Sequence, residues 1–103
     1  MLHNIGINDS GQTIYTSAGD TIQLQLEENP TTGYSWAIDS VAPFFSLQQN
    51  DYHLLSGAGI GGGGTRTIVF KIEQSGSGNI SLKNRQPWSD DVYQTFEIAV
   101  KAV

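Results

Sequence analysis

The sequence predicts an all-β fold, an immunoglobulin-like antiparallel β-sandwich of about seven strands without a disulfide. Apolar and polar residues alternate along most of the chain, as at Ile22, Leu24 and Leu26, and this period of two is typical of strands with one buried face. Segments rich in Gly, Pro and Asn separate the alternating runs, and no run has the spacing of an amphipathic helix. The chain contains no Cys, so the disulfide of antibody domains is absent.

Seven alternating runs account for the strands of this sandwich. They cover residues 13–16, 21–27, 34–39, 44–55, 66–73, 79–84 and 92–101. Seven strands in about 100 residues is the size of an immunoglobulin-like domain, in which a Trp of the third strand lies in the core. We therefore expect Trp36 to be buried against aliphatic side chains. With 103 residues and 11.2 kDa, the chain from 1 to 103 is expected to form one domain.

The charge balance excludes several classes of partner. Five Lys and Arg against ten Asp and Glu give a net charge of −5 without a basic cluster, so neither nucleic acid nor an anionic membrane is expected to bind. No apolar run approaches the ~20 residues that cross a bilayer. The first residues have no cationic start followed by an apolar stretch, which predicts no signal peptide. A cytoplasmic protein and a secreted or periplasmic protein that has lost its leader fit these observations equally well.

The strand directions predict that one end of the sandwich is specialised. In an antiparallel chain successive connections alternate between the two ends, so the connections after the second, fourth and sixth predicted strands share an end. These connections have unusual compositions and contain residues 29–33, 57–64 and 85–91. The connections at the opposite end, 18–20 and 76–78, have the composition of ordinary turns.

The first of these segments, Asn-Pro-Thr-Thr-Gly at 29–33, allows two interpretations. One is a tight turn, in which Pro30 fixes φ near −65° and Gly33 takes a positive φ. The other is a rigid, uncharged loop that holds Thr31 and Thr32 at its tip, where they can enter a narrow pocket. Rigidity lowers the conformational entropy lost on binding.

The glycine run contains the spacing G-x-G-x-x-G at Gly57, Gly59 and Gly62. A dinucleotide-binding loop requires a helix after the glycines, whereas residues 65–73 alternate as a strand, so this function is excluded. Two interpretations remain: a flexible loop, or a strip of bare backbone that lies along the extended-substrate site of another protein. The second requires glycine because a Cβ atom would hold the two chains apart.

The third segment, Arg-Gln-Pro-Trp at 85–88, places a Trp directly after a Pro in a polar loop. Trp88 either folds onto the edge of the sandwich or stays exposed. In the exposed case, a large aromatic side chain on a rigid loop is typical of an interface hot spot. The Asp90 and Asp91 pair lacks the spaced oxygen ligands of a calcium loop and is expected to be a solvated turn.

Catalytic chemistry has little support in the sequence. The two imidazoles are His3, expected at a frayed terminus, and His53, expected as a partly exposed strand residue. Asp51, His53 and a Ser would supply the residue types of a catalytic triad. However, no segment of the sequence resembles the strained turn that carries a nucleophilic Ser. Without Cys, thiolate nucleophiles and zinc–thiolate sites are excluded. We expect neither an enzyme nor a cofactor or metal site.

Taken in order, the three segments resemble those of the chagasin-type inhibitors of papain-like cysteine peptidases. The motif Asn-Pro-Thr-Thr-Gly-Tyr at 29–34 is highly specific, the glycines at 61–64 followed by Thr65 are moderately so, and a Pro-Trp pair at 87–88 completes the set. The family usually has Arg before this Pro-Trp pair. Here Gln86 stands in that place and Arg85 precedes it. The resemblance covers nearly the whole chain.

The resemblance implies a monomeric, cofactor-free sandwich whose three loops reversibly block the active-site cleft of a papain-like cysteine peptidase. By that analogy Thr31 and Thr32 lie over the catalytic Cys and His, the glycines lie beside the non-primed subsites, and Trp88 packs on the primed side. The implied peptidase-binding residues are Asn29, Pro30, Thr31, Thr32, Gly33, Tyr34, Gly61, Gly62, Gly63, Gly64, Arg85, Gln86, Pro87 and Trp88. The alternative function is that of a non-catalytic immunoglobulin-like adhesion or ligand-binding module, since this fold supports many functions.

Overall fold

A computed structural model describes residues 1–29, 32–54, 63–89 and 91–103. These ranges contain eight strands and one short 3₁₀ helix. In chain order the elements are β1 (Leu2–Ile5), the 3₁₀ helix (Ile7–Asp9), β2 (Thr13–Thr16), β3 (Thr21–Glu28), β4 (Ser35–Val41), β5 (Phe45–Leu54), β6 (Gly64–Ile72), β7 (Gly76–Arg85) and β8 (Val92–Ala102). No helix in the described ranges is long and apolar enough to cross a membrane.

The strands form two four-stranded sheets, in the orders β1-β3-β6-β5 and β2-β8-β7-β4. The predicted all-β sandwich is confirmed, with eight strands in place of about seven. Four of the six pairings are antiparallel, as expected, but β1 and β2, each at one edge of its sheet, pair in parallel with β3 and β8. β2 coincides with the predicted run 13–16, so the additional strand is β1. Both strands are only four residues long, which is too short for the alternation to reveal their direction.

The core lies between the two sheets and is built from the alternating residues. Ile22, Leu24 and Leu26 of β3 are at most 1% exposed, so the alternation identified the buried face correctly. Trp36 of β4 is buried as predicted, in a cluster that contains Phe as well as aliphatic side chains. The remaining members of this cluster are Ile5, Phe44, Phe45, Ile68, Phe70, Ile72, Ile80, Leu82, Phe96, Ile98, Val100 and Ala102.

His3 is ordered within β1, so the expectation of a frayed terminus is wrong. Its Nε2 atom lies 2.8 Å from Oδ2 of Asp20, and the backbone N–H of Ser17 donates to the same oxygen at 3.0 Å. These hydrogen bonds hold the pKa of Asp20 well below its usual range. The stability contributed by this carboxylate is therefore present above the pKa of an unfolded Asp, and it is lost as the pH falls through the lower folded-state pKa.

Candidate functional site

The ends of six strands meet at one end of the sandwich. In the first sheet Gly64, which begins β6, is paired with both Glu28 and Leu54, which end β3 and β5. In the second sheet Arg85, which ends β7, is paired with the first residues of β4 and β8, Ser35 and Val92. The connections 29–34, 55–63 and 86–91 therefore leave from neighbouring strand ends, as the strand directions predicted. We call this end of the molecule the loop end.

Glu28 joins the two sheets at the loop end. It continues the inward-facing series of β3 and is only 4% exposed. Its Oε1 atom accepts a hydrogen bond of 2.7 Å from the backbone N–H of Trp36 in the opposite sheet. The indole Nε1 of Trp36 in turn donates to the carbonyl oxygen of Glu27 at 2.9 Å. The two ends of the 29–34 connection are thus fixed to each other.

Arg66 neutralises the buried Glu28 carboxylate. Its Nη2 and Nε atoms donate to Oε2 and Oε1 of Glu28 at 2.7 and 3.2 Å, a two-pronged contact that restrains both side chains. Arg66 also donates from Nη1 to Oδ1 of Asn50 at 3.2 Å, and its guanidinium lies 5.8 Å from the centre of the Tyr52 ring. These contacts span three strands of the first sheet and form a stiff polar layer beneath the loop end.

The described part of the first loop is held by its own hydrogen bonds. The hydroxyl of Thr32 donates to the carbonyl oxygen of Asn29 at 2.7 Å and accepts from the backbone N–H of Tyr34 at 3.3 Å. The backbone N–H of Thr32 also donates to the Asn29 carbonyl, at 3.2 Å. This pattern fits the interpretation of a rigid loop. Thr31, which was expected at the tip beside Thr32, lies outside the described residues, as does Pro30.

Trp88 stays exposed and lies against Gly33. Its side chain is 72% exposed, which decides between the two interpretations of this residue. Gly33 has φ of 81°, which disfavours other residues, and a Cβ atom built on it would lie 2.5 Å from Cη2 of Trp88. Gly33 is therefore required by the turn, and a side chain at this position would displace the indole ring.

Gln86 connects the third loop to the first. Its Nε2 atom donates to the carbonyl oxygen of Thr32 at 3.3 Å. Pro87 follows in an exposed turn, which is closed by a 3.2 Å hydrogen bond from the backbone N–H of Ser89 to the carbonyl oxygen of Gln86. Arg85 is exposed, and its alternation with the buried Asn84 puts it on the outer face of β7.

The described glycines of the second segment lie beside β3. A Cβ atom on Gly63 would lie 3.5 Å from the carbonyl oxygen of Glu28, which is an ordinary contact. A Cβ atom on Gly64 would collide with the carbonyl oxygen of His53 and with the ring of Tyr52. Gly64 is therefore required by packing within the sandwich. Gly61 and Gly62 lie outside the described residues.

Sequence reasoning missed one aromatic residue at this end. Tyr93, which lies inside the predicted strand 92–101, is 72% exposed, and its ring centre is 5.7 Å from that of Tyr34. Both rings line a groove of about 580 Å³ at the loop end, which Thr32 and Gly63 also line. No pattern in the sequence distinguished Tyr93 from its neighbours, because its placement depends on a local change in strand register.

Among the described residues, the candidates for catalysis and metal binding do not come together at the loop end. Asp51 and His53 lie on the exposed edge strand β5, where a partly exposed His53 was expected. Within the described ranges, no three His, Asp or Glu side chains are grouped closely enough to hold a metal ion. The described groups at the loop end instead offer hydrogen bonds and aromatic surface.

Comparison with known proteins identifies the family. The family model described as "Chagasin family peptidase inhibitor I42" matches residues 15–100. The chain belongs to the chagasin family. Amoebiasin-1 of Entamoeba histolytica is 34% identical to this chagasin-family protein, over 90% of this chain and 92% of the relative. Chagasin of Trypanosoma cruzi is 26% identical, over 99% of both chains.

A solved structure supports the same assignment. The crystal structure of the cysteine protease inhibitor EhICP2 from Entamoeba histolytica matches this chagasin-family protein with a TM-score of 0.91 and 26% identity, covering 99% of this chain and 96% of that chain. The resemblance drawn from the three motifs is thus confirmed. As a chagasin-family member, the protein is a peptidase inhibitor and not an enzyme.

Proposed function

We propose that this chain inhibits papain-like cysteine peptidases by laying its loop end across their active-site cleft. The observation that carries this proposal is the mutual bracing of the first and third loops. Gln86 bonds to Thr32, and Trp88 lies on Gly33. Two of the three motifs that resemble the family's inhibitory loops therefore form one continuous surface.

Bracing matters because binding is opposed by the entropy of ordering the interface. Each loose, rotamer-rich side chain costs about 0.5–1.5 kcal/mol when it is fixed on binding. The side chain of Thr32 has already lost this freedom through its hydrogen bonds, and Glu28 and Trp36, which flank the first loop, are tied to each other. The net free energy of binding is then more favourable for the same contacts.

The roles within this surface follow the family resemblance. Thr31 and Thr32 would cover the catalytic Cys and His of the peptidase, glycines 61–64 would lie beside the non-primed subsites, and Trp88 would pack on the primed side. A loop held this way fills the cleft without being cleaved, because hydrolysis requires the carbonyl carbon to reach the nucleophile in a near-attack geometry. Together the three loops would bury an area near the usual ~800 Å² per partner.

Steady-state inhibition of papain and a cathepsin tests this function. The purified protein is expected to inhibit both competitively and reversibly, to remain uncleaved, and to leave trypsin, a serine peptidase, fully active. Failure to inhibit any papain-like peptidase at micromolar concentration would contradict the proposal.

Replacing Gln86 by Ala is expected to weaken inhibition moderately. The variant loses the hydrogen bond to the Thr32 carbonyl, worth about 1 kcal/mol, so the inhibition constant for papain is expected to rise about fivefold. Gln25→Ala, on an exposed position of β3 away from the loop end, is the matched control. Equal inhibition by the two variants would show that this bond does not prepare the loops for binding.

A further inference from the structure

Tyr93 presents a large exposed aromatic surface beside the three loops. The ring of Tyr93 contacts the ring of Tyr34, which directly follows Gly33 in the chain. Gly33 in turn lies against Trp88. The aromatic surface is therefore continuous with the proposed peptidase-binding surface. Tyr93 contributes little to the core, since 72% of its surface is exposed. An exposed Tyr supplies large contact area and a hydrogen-bonding hydroxyl at low entropic cost, which explains why Tyr is enriched at interfaces.

A β-bulge positions this side chain. Asn84 pairs with Gln94, whereas the next residue of β7, Arg85, pairs with Val92. One step along β7 thus corresponds to two steps along β8, and Tyr93 is the additional residue. Bulges of this kind redirect a side chain from the regular alternation of the strand. Here Tyr93 lies against Tyr34 and lines the same groove as Thr32.

We propose that Tyr93, held against Tyr34, is a fourth contact with the peptidase. This inference rests on the proposed function and extends it, because Tyr93 lies outside the three loop motifs. The ring packs on the peptidase surface at the rim of the cleft, and the Tyr34 ring behind it limits its motion. Its partner is an apolar or aromatic patch of the peptidase with a polar group within reach of the phenol hydroxyl.

Inhibition by Tyr93→Ala provides the first test. Its inhibition constant for papain or a cathepsin is expected to rise at least about tenfold, mostly through faster dissociation. Tyr15→Ala is the matched control, because Tyr15 is also 72% exposed and lies far along the same sheet, paired with Lys101. Its inhibition constant is expected to match that of the unmodified protein. Equal inhibition by the two variants would overturn the fourth contact.

Thiol protection separates direct contact from an effect through Tyr34. Because the chain has no Cys, Tyr93→Cys and Tyr15→Cys each introduce a single thiol. In complex with papain whose catalytic Cys is replaced by Ser, alkylation at position 93 is expected to slow at least about tenfold, and alkylation at position 15 to be unchanged. Equal alkylation rates at position 93 in the free and bound protein would refute contact.

The outcome for the unmodified protein distinguishes the two proposals. If it inhibits no papain-like peptidase, the proposed function fails and the inference fails with it. If it inhibits normally while Tyr93→Ala behaves as Tyr15→Ala, only the fourth contact fails.

Discussion

Replacing Trp88 by Ala is expected to raise the inhibition constant for a papain-like peptidase about 30-fold, corresponding to about 2 kcal/mol. The exposed indole ring is held on Gly33 and is available to a partner, while the fold makes little use of it. The variant is therefore expected to unfold at nearly the same temperature as the unmodified protein. Inhibition kinetics and thermal unfolding measured on the same preparation separate the two effects.

Leu47→Ala serves as the control for this experiment. Leu47 is 50% exposed and is paired with Phe70 near the start of β5, away from the loop end. Its truncation removes exposed apolar surface without touching the proposed interface, so its inhibition constant is expected to stay unchanged. If Trp88→Ala inhibits as tightly as Leu47→Ala, Trp88 lies outside the interface and the analogy with the family fails at this residue.

Replacing Glu28 by Ala is expected to lower the free energy of unfolding by about 3 kcal/mol or more. The change leaves Arg66 without its carboxylate in a site where its side chain is only 20% exposed, and it removes the acceptor of the Trp36 N–H. It also releases the link between the sheets beneath the first loop, so inhibition is expected to weaken as well. Urea unfolding followed by Trp fluorescence measures the stability.

The exposed ion pair between Lys83 and Asp39 is the matched control. Its atoms are 3.4 Å apart and both side chains are 42% exposed, so Asp39→Ala is expected to cost less than about 1 kcal/mol. A second variant, in which both Glu28 and Arg66 are replaced by Met, is expected to recover much of the lost stability because no buried charge is left unpaired. Equal stability of Glu28→Ala and Asp39→Ala would show that Glu28 does not hold the loop end together.

The sandwich and the convergence of its loop-bearing strands were predictable from local patterns. Alternation at Ile22, Leu24 and Leu26 identified the buried face of β3. The alternating direction of successive strands predicted which connections share the loop end. Trp36 was correctly expected in the core. These predictions succeeded because burial on one face of a strand leaves a direct, period-two signal in the sequence.

Features that depend on pairing between distant strands were not predictable. β1 pairs in parallel with β3, and His3 is held in place by Asp20. Both partners lie about 20 residues away, so a four-residue pattern does not encode them. The bulge that positions Tyr93 is a property of the β7–β8 register. Glu28 offered a signal, since it continues the inward series of β3, and a charged residue there implies a buried partner. That partner, Arg66, became identifiable only from the β3–β6 pairing.

Protection of the peptidase's catalytic thiol tests the central claim most directly. Papain is mixed with increasing amounts of the inhibitor, at concentrations well above the dissociation constant, and its catalytic Cys is alkylated with iodoacetamide. If the loop end occupies the cleft, the alkylation rate falls in proportion to the fraction bound and approaches zero at one equivalent, while the inhibitor remains intact by mass spectrometry. Full inhibition of a protein substrate with an unchanged alkylation rate would show that the inhibitor binds elsewhere and would contradict occlusion of the cleft.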